Sequence, residues 1–237
     1  MIISGVDLES FVDYPGKMCT TLFLSGCNFS CGWCFNPSLV RKQMDKNYKI
    51  DYIFDRIKEI NSEKEWIKAV TITGGEPTIN DDLEKLCRAI KHKRFLVKLD
   101  TNGSKPEVLE TLIEKKLVDY IAMDLKFIPY RYNEIEPKCN PQDIIDSINL
   151  LLRRRGSRVN NYEFRTTLVP GIHNIEVLKE MGSFIKDSKN WYLQNFSSGK
   201  EYLDSKYKTV KPFSKEELEN FKESLKIYVD RMWIRNL

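Results

Sequence analysis

The chain has 237 residues, 41% hydrophobic and 30% charged, with a formal net charge of +4. That is enough chain to bury one sizeable core, and the composition excludes a disordered or low-complexity protein. The mild charge argues against a dedicated nucleic-acid module. No apolar run reaches membrane-spanning length, and no signal-peptide pattern opens the chain, so a cytoplasmic protein with reduced thiols is expected.

Taken in chain order, residues 1–16, ending Val12-Asp-Tyr-Pro-Gly16, read as a turn or hairpin before the first strand. Strand-like runs rich in Val, Ile, Phe, Tyr and Thr follow at about 19–25, 69–73, 95–100, 120–125, 163–169 and 190–196. Amphipathic helical segments fall at about 50–61, 81–92, 106–117, 141–154, 175–187 and 215–228. Asn140 before Pro141, Asn174, and the capping box from Ser214 to Glu217 mark helix starts. Arg153-Arg154-Arg155 and Arg158 follow the apolar stripe of the fourth helix, where basic side chains complement a helix C-terminus. The tail from Tyr228 to Leu237 is expected as a short edge element.

Strand–helix alternation with right-handed crossovers predicts a parallel sheet covered by helices. Six units are too few for a closed eight-stranded barrel. The expected fold is therefore α/β, an open partial TIM barrel of about six parallel βα units. The whole chain, 1–237, reads as a single domain with its core at about 17–197 and a C-terminal helix and tail at 214–237.

Cys27, Cys31 and Cys34 offer three thiolates from one short loop after the first strand. Iron–sulfur clusters are held by cysteine thiolates, usually four. A cubane with three protein ligands leaves one iron open. Structural zinc almost always takes four protein ligands, and the two histidines, His92 and His173, lie far away in sequence. The open-iron cluster is the better reading. Cys87 lies on an apolar helical stripe with Leu83, Leu86 and Ile90 and reads as a core thiol. Cys19 and Cys139 show no pattern linking them to the triad.

The remaining chemistry collects at strand ends. Thr73-Gly-Gly-Glu-Pro77 closes the second strand, Asp100-Thr-Asn-Gly103 the third, Asp124-Leu-Lys126 the fourth and Val169-Pro-Gly171 the fifth. Sites of α/β sheets gather at the carboxyl ends of parallel strands, so these segments should converge with the cysteine loop. Gly74 and Gly75 let backbone approach a ligand closely, Glu76 adds a carboxylate and Pro77 stiffens the turn. Asp100, Asn102 and Asp124 suit sugar hydroxyls, and Lys126 and Arg165 suit a ligand carboxylate.

The Cys-x-x-x-Cys-x-aromatic-Cys loop, with Trp33 as the aromatic, followed by Thr-Gly-Gly-Glu-Pro, resembles the radical S-adenosylmethionine superfamily. Asp13-Tyr-Pro-Gly-Lys17, Ser25-Gly-Cys-Asn-Phe-Ser-Cys31, Lys98-Leu-Asp-Thr-Asn-Gly-Ser104, Val118 to Lys126 and Tyr162 to Pro170 extend the likeness. Together they resemble activating components of anaerobic ribonucleoside-triphosphate reductase and, more loosely, glycyl-radical-enzyme activases. The resemblance implies a [4Fe–4S] cluster on Cys27, Cys31 and Cys34, whose open iron takes S-adenosylmethionine. It places Gly74, Gly75 and Glu76, with Pro77, at the methionyl ammonium, and the backbone near Trp33 at the adenine. Asp100, Thr101, Asn102, Asp124 and Lys126 would line the ribose and methionine pocket, with Arg165 facing the carboxylate and Gln194 nearby. The implied partners are a glycyl radical enzyme as protein substrate and a reductant such as flavodoxin or ferredoxin. One departure stands out: Phe35 follows the last cysteine where many such activases have histidine. A radical enzyme acting on a small molecule or nucleoside, and a non-catalytic iron–sulfur or zinc protein, are the alternatives.

Overall fold

The computed structural model describes residues 1–43, 46–153 and 161–235. Its strands are β1 (Ile3–Tyr14), β2 (Lys17–Leu24), β3 (Ala69–Gly74), β4 (Leu96–Thr101), β5 (Tyr120–Asp124), β6 (Tyr162–Leu168), β7 (Ser188–Asn195) and β8 (Val229–Arg235). They form one sheet in simple sequence order, with β1 and β8 at its two edges. β1 runs antiparallel to β2, and every later pairing is parallel. The helices are α1 (Pro37–Val40), α2 (Ile50–Ile60), α3 (Leu83–His92), α4 (Pro106–Glu114), α5 (Pro141–Arg153), α6 (Ile175–Phe184) and α7 (Lys215–Leu225). The architecture is the expected open α/β partial barrel, and all six predicted strands are present.

Two edge strands enlarge the expected six-unit core. The N-terminal segment supplies β1, twelve residues long, which turns through Pro15 and Gly16 into β2. Register shifts at three points break its alternation, which is why the segment reads poorly as a strand. The tail expected at the edge is β8, a seventh parallel strand beside β7. The helix starts hold: Asn174 Oδ1 accepts from Val177 N–H at 2.9 Å, and Ser214 and Glu217 form a reciprocal capping box. Arg153 ends α5 as expected, whereas Arg154, Arg155 and Arg158 lie outside the described residues.

Successive strand side chains face opposite sides of a sheet, and here the two sides differ in chemistry. One set, including Leu22, Leu24, Ile72, Leu99, Ile121, Phe164 and Leu193, is buried under the helices in a single large cluster. The other set faces the concave side. A small apolar group of Tyr14, Cys19, Ala69, Tyr120 and Ala122 packs there. Further along the same faces come Lys98 and Asp100 on β4, Asp124 on β5, and Glu163 and Arg165 on β6, all within the sheet's parallel register. The polar half of that concave side opens at the carboxyl ends of the strands.

Candidate functional site

The loop between β2 and α1 carries Cys27, Cys31 and Cys34, and neighbours hold it from several directions. Its first residues are stapled to the double-glycine turn: Gly75 N–H donates to Leu24 O at 2.9 Å and Glu76 N–H to Gly26 O at 2.8 Å. Asn28 donates to Ser104 Oγ at 2.8 Å and accepts from Asn102 Nδ2 at 3.0 Å, tying the loop to the segment after β4. Ser30 is held by Glu136 through N–H and hydroxyl. On the far side, Leu203 N–H donates to Cys34 O and Asp204 N–H to Gly32 O, each at 2.9 Å, while Trp33 meets Tyr207 edge-on. All six cysteines are free thiols.

A cavity of about 310 Å³ lies between this loop and the strand ends. Cys27, Cys31, Trp33 and Cys34 line one side of it. Gly74, Gly75, Glu76, Asp100, Thr101 and Asn102 also line it, as do Asp124, Lys126, Arg165 and Gln194. Of the cluster and cofactor residues that the resemblance implies, Pro77 is the one not on the wall; it is buried at the start of a 3-10 turn, 77–79. Asp13, Thr73 and Thr167 also line the cavity and were not singled out as site residues. Thr167 follows Arg165 by two on β6, so the strand period already signalled its inward face.

The two glycines serve the chain's own packing. A Cβ on Gly75 would sit 1.9 Å from Gly26 O, and one on Gly74 would sit 2.3 Å from Leu24 O. Their small size therefore lets β3 and the cysteine loop approach each other, in addition to any ligand. Glu76 is likewise committed internally and only 1% exposed. Its carboxylate accepts from Thr78 N–H at 3.0 Å, Thr78 Oγ1 at 2.6 Å, Thr101 Oγ1 at 2.8 Å and Asn102 N–H at 2.6 Å. Burial pushes this carboxyl up from its ordinary range and those four donors pull it back. Expected at the methionyl ammonium, Glu76 lines the cavity and also rivets the β3 turn to the end of β4.

Deeper in, charges alternate across three strands. Lys98 pairs with Asp100; Arg165 Nη1 reaches Asp100 Oδ2 at 2.9 Å and its Nε and Nη2 hold Asp124 Oδ1 at 2.8 Å. Lys126 Nζ closes the chain on Asp124 Oδ2 at 3.0 Å. Burial alone would raise Asp124, but Arg165 and Lys126 outweigh it and hold the carboxyl down at about 2. Asp100 is also lowered, by Arg165 and Lys98 against its burial. Three nitrogens of Arg165 are thus taken by the protein's own carboxylates. Lys126 binds Asp124 with one of its three N–H groups and is the cation better placed to meet a further anion.

Val169-Pro-Gly171 does not reach the cavity and acts through His173. His173 Nδ1 accepts from Val169 N–H at 2.9 Å, which puts its proton on Nε2, donated to Lys126 O at 3.1 Å. Burial holds this imidazole neutral, its pKa lowered to about 4. Phe35, at the departure noted above, borders the cavity, with Lys200 Nζ 4.7 Å above its ring. Beside it, Asn195 Oδ1 is a buried acceptor with no hydrogen-bond partner among the described residues. Among those residues no three His, Cys, Asp or Glu side chains are grouped to hold a single metal ion, and no helix is long and apolar enough to cross a membrane. Burial pushes the free Cys27 thiol up to about 11 and Cys31 to about 12.

A loop of three cysteines packed on a Gly-Gly-Glu turn at the open end of a partial barrel defines a class. The family described as the Radical SAM superfamily matches residues 21–185, and the chain belongs to it. Membership implies an iron–sulfur cluster and S-adenosylmethionine. A protein of Methanocaldococcus jannaschii, provisionally named a glycyl-radical enzyme activating enzyme, is 33% identical over 100% of this chain and 96% of its own. The 7-carboxy-7-deazaguanine synthase of Haemophilus influenzae is 29% identical over 48% of this chain and 46% of its own. Among solved structures, a radical SAM methyltransferase from Sphaerobacter thermophilus superposes with a TM-score of 0.70 at 16% identity, over 96% of this chain and 68% of that one. That likeness carries the fold alone.

Proposed function

We propose that this radical SAM enzyme is an activase, removing a hydrogen atom from a backbone glycine of a glycyl radical enzyme such as an anaerobic ribonucleotide reductase. The observation that carries the reading is the end-to-end likeness to the activating-enzyme relative, whereas the synthase likeness spans about half of each chain. Cys27, Cys31 and Cys34 are the residues to hold a [4Fe–4S] cluster, since they share one wall of the cavity and Gly26 is bonded to the double-glycine turn. Held there and reduced, such a cluster would supply the one-electron chemistry by which S-adenosylmethionine is cleaved to methionine and the hydrogen-abstracting 5′-deoxyadenosyl group.

The chain's own residues do the positioning. Lys126, on the cavity wall, would receive the ligand carboxylate with the donors that Asp124 leaves free. Asp100 and Asp124 are held ionised and rigid by Arg165, and so present fixed acceptors to ribose hydroxyls and the ammonium group. A reductant such as flavodoxin or ferredoxin would supply the electron.

The test is anaerobic reconstitution, reduction, and incubation with S-adenosylmethionine alone and with a glycyl radical enzyme. The reading expects 5′-deoxyadenosine and a doublet-type glycyl signal that needs both proteins. Deoxyadenosine formation stimulated by a small metabolite, with no protein radical from any partner, would replace the protein substrate with a small one.

A further inference from the structure

The cysteine loop has an anionic neighbour that nothing in the spacing of its cysteines points to. Glu136 follows the 3-10 turn 129–134 and lies 105 residues beyond Cys31. It is 1% exposed. Its Oε2 accepts from Ser30 N–H at 2.7 Å and its Oε1 from Ser30 Oγ at 3.0 Å, and that same Oε2 stands 3.9 Å from Cys31 Sγ. The residue cannot drift, because its N–H donates to Tyr132 O and its carbonyl accepts from Cys139 N–H, both at 2.9 Å.

Holding Ser30 does not require a charge. A glutamine amide would accept from the Ser30 N–H with its oxygen and donate to the Ser30 hydroxyl with its nitrogen, in the same shape. Burying a carboxylate in place of that amide costs free energy, and here it sets an anion beside a sulfur of the cysteine triad. Resting on the cluster reading above, we propose that Glu136 is a positioning residue whose negative charge lowers the reduction potential of the cluster carried by Cys27, Cys31 and Cys34. The physical reason is Coulombic. Reduction adds one electron to the cluster, and a fixed anion at short range in a poorly solvated site makes that addition less favourable. Net charge and hydrogen bonding around the sulfurs are what set such potentials. A lower potential makes the reduced cluster a stronger electron donor, and splitting a sulfonium demands a strong donor. Lys126 provides the opposing charge within electrostatic reach of Cys31, so the pair brackets the value from both sides.

The experiment is an anaerobic redox titration, followed by electron paramagnetic resonance without S-adenosylmethionine, on reconstituted wild type and three variants. Glu136→Gln keeps the Ser30 clasp and is expected to retain iron and sulfide while its midpoint moves to a less negative potential. Glu136→Asp keeps the charge and is expected to titrate closer to wild type than the glutamine variant. Glu134→Gln removes an exposed carboxylate paired with Arg131 at 2.6 Å and is expected to leave the midpoint in place. A glutamine variant at the wild-type midpoint, or one that loses its cluster, overturns the proposal, as does an equal shift from Glu134→Gln. A wild-type protein that takes up no cluster overturns the underlying reading of the loop instead.

Discussion

Replacing Gly75 with alanine tests whether the double-glycine turn and the cysteine loop form one rigid unit. The added Cβ would lie 1.9 Å from Gly26 O, 2.5 Å from Gly26 C and 3.2 Å from Cys27 N. A Cβ essentially never lies within 3.0 Å of a heavy atom outside its own residue and chain neighbours, so the two segments must part by about 1 Å or more. Every struck atom is backbone, and no side-chain rotation relieves it. Overpacking typically costs about 1–3 kcal/mol, and a backbone collision belongs at the upper end, about 3 kcal/mol. In a chain of this size that lowers Tm by about 6–12 °C. The parting also strains the Glu76 N–H to Gly26 O bond of 2.8 Å, which leads directly into Cys27. The assay is thermal unfolding of the apoprotein alongside iron and sulfide content after reconstitution. Gly5→Ala is the control, since its backbone is not left-handed and a Cβ there meets only Phe23 side-chain carbons at 3.4 Å or more. A Gly75→Ala protein that melts within about 2 °C of wild type and loads a full cluster would refute the reasoning.

The other predictions concern charge and the cysteines. Arg165→Met leaves Asp100 and Asp124 without their shared guanidinium; breaking a buried pair this way costs about 3–5 kcal/mol, to be read as a lower denaturant midpoint and weaker S-adenosylmethionine binding. Cys31→Ala should abolish 5′-deoxyadenosine formation and lower the iron content, and unchanged turnover would sink the cluster assignment. His173 supplies a pH signature: its folded pKa is lowered to about 4 from 6.5, so between those values the unfolded chain binds a proton that the folded chain refuses. Stability should fall by about 3 kcal/mol as pH drops through that window and level off below it, and His173→Gln should lose this part of the pH dependence of unfolding.

Much of the site was legible because strand ends carry their own signals. The alternation of apolar runs with amphipathic segments determines the α/β partial barrel, and the rule that sites gather at carboxyl strand ends joins Cys27, Gly74, Asp100 and Asp124 from sequence alone. Those residues do line one cavity. The edge strands were harder to read, since β1 is broken by irregular register and β8 is half exposed, so neither shows clean periodicity.

What tertiary structure alone decided is which side chains are spent inside the wall and which remain available. Glu76 and Asn102 line the cavity, and their polar atoms also bond to Thr78, Thr101, Asn28 and Ser104. Arg165 lines the cavity while Asp100 of β4 and Asp124 of β5 hold it. Glu136 carried no signal at all, because its partner Ser30 lies 106 residues away. Residue type and strand period determine where a side chain points. Whether its hydrogen bonds are already made depends on long-range neighbours, and those are fixed only when the sheet closes around the loop.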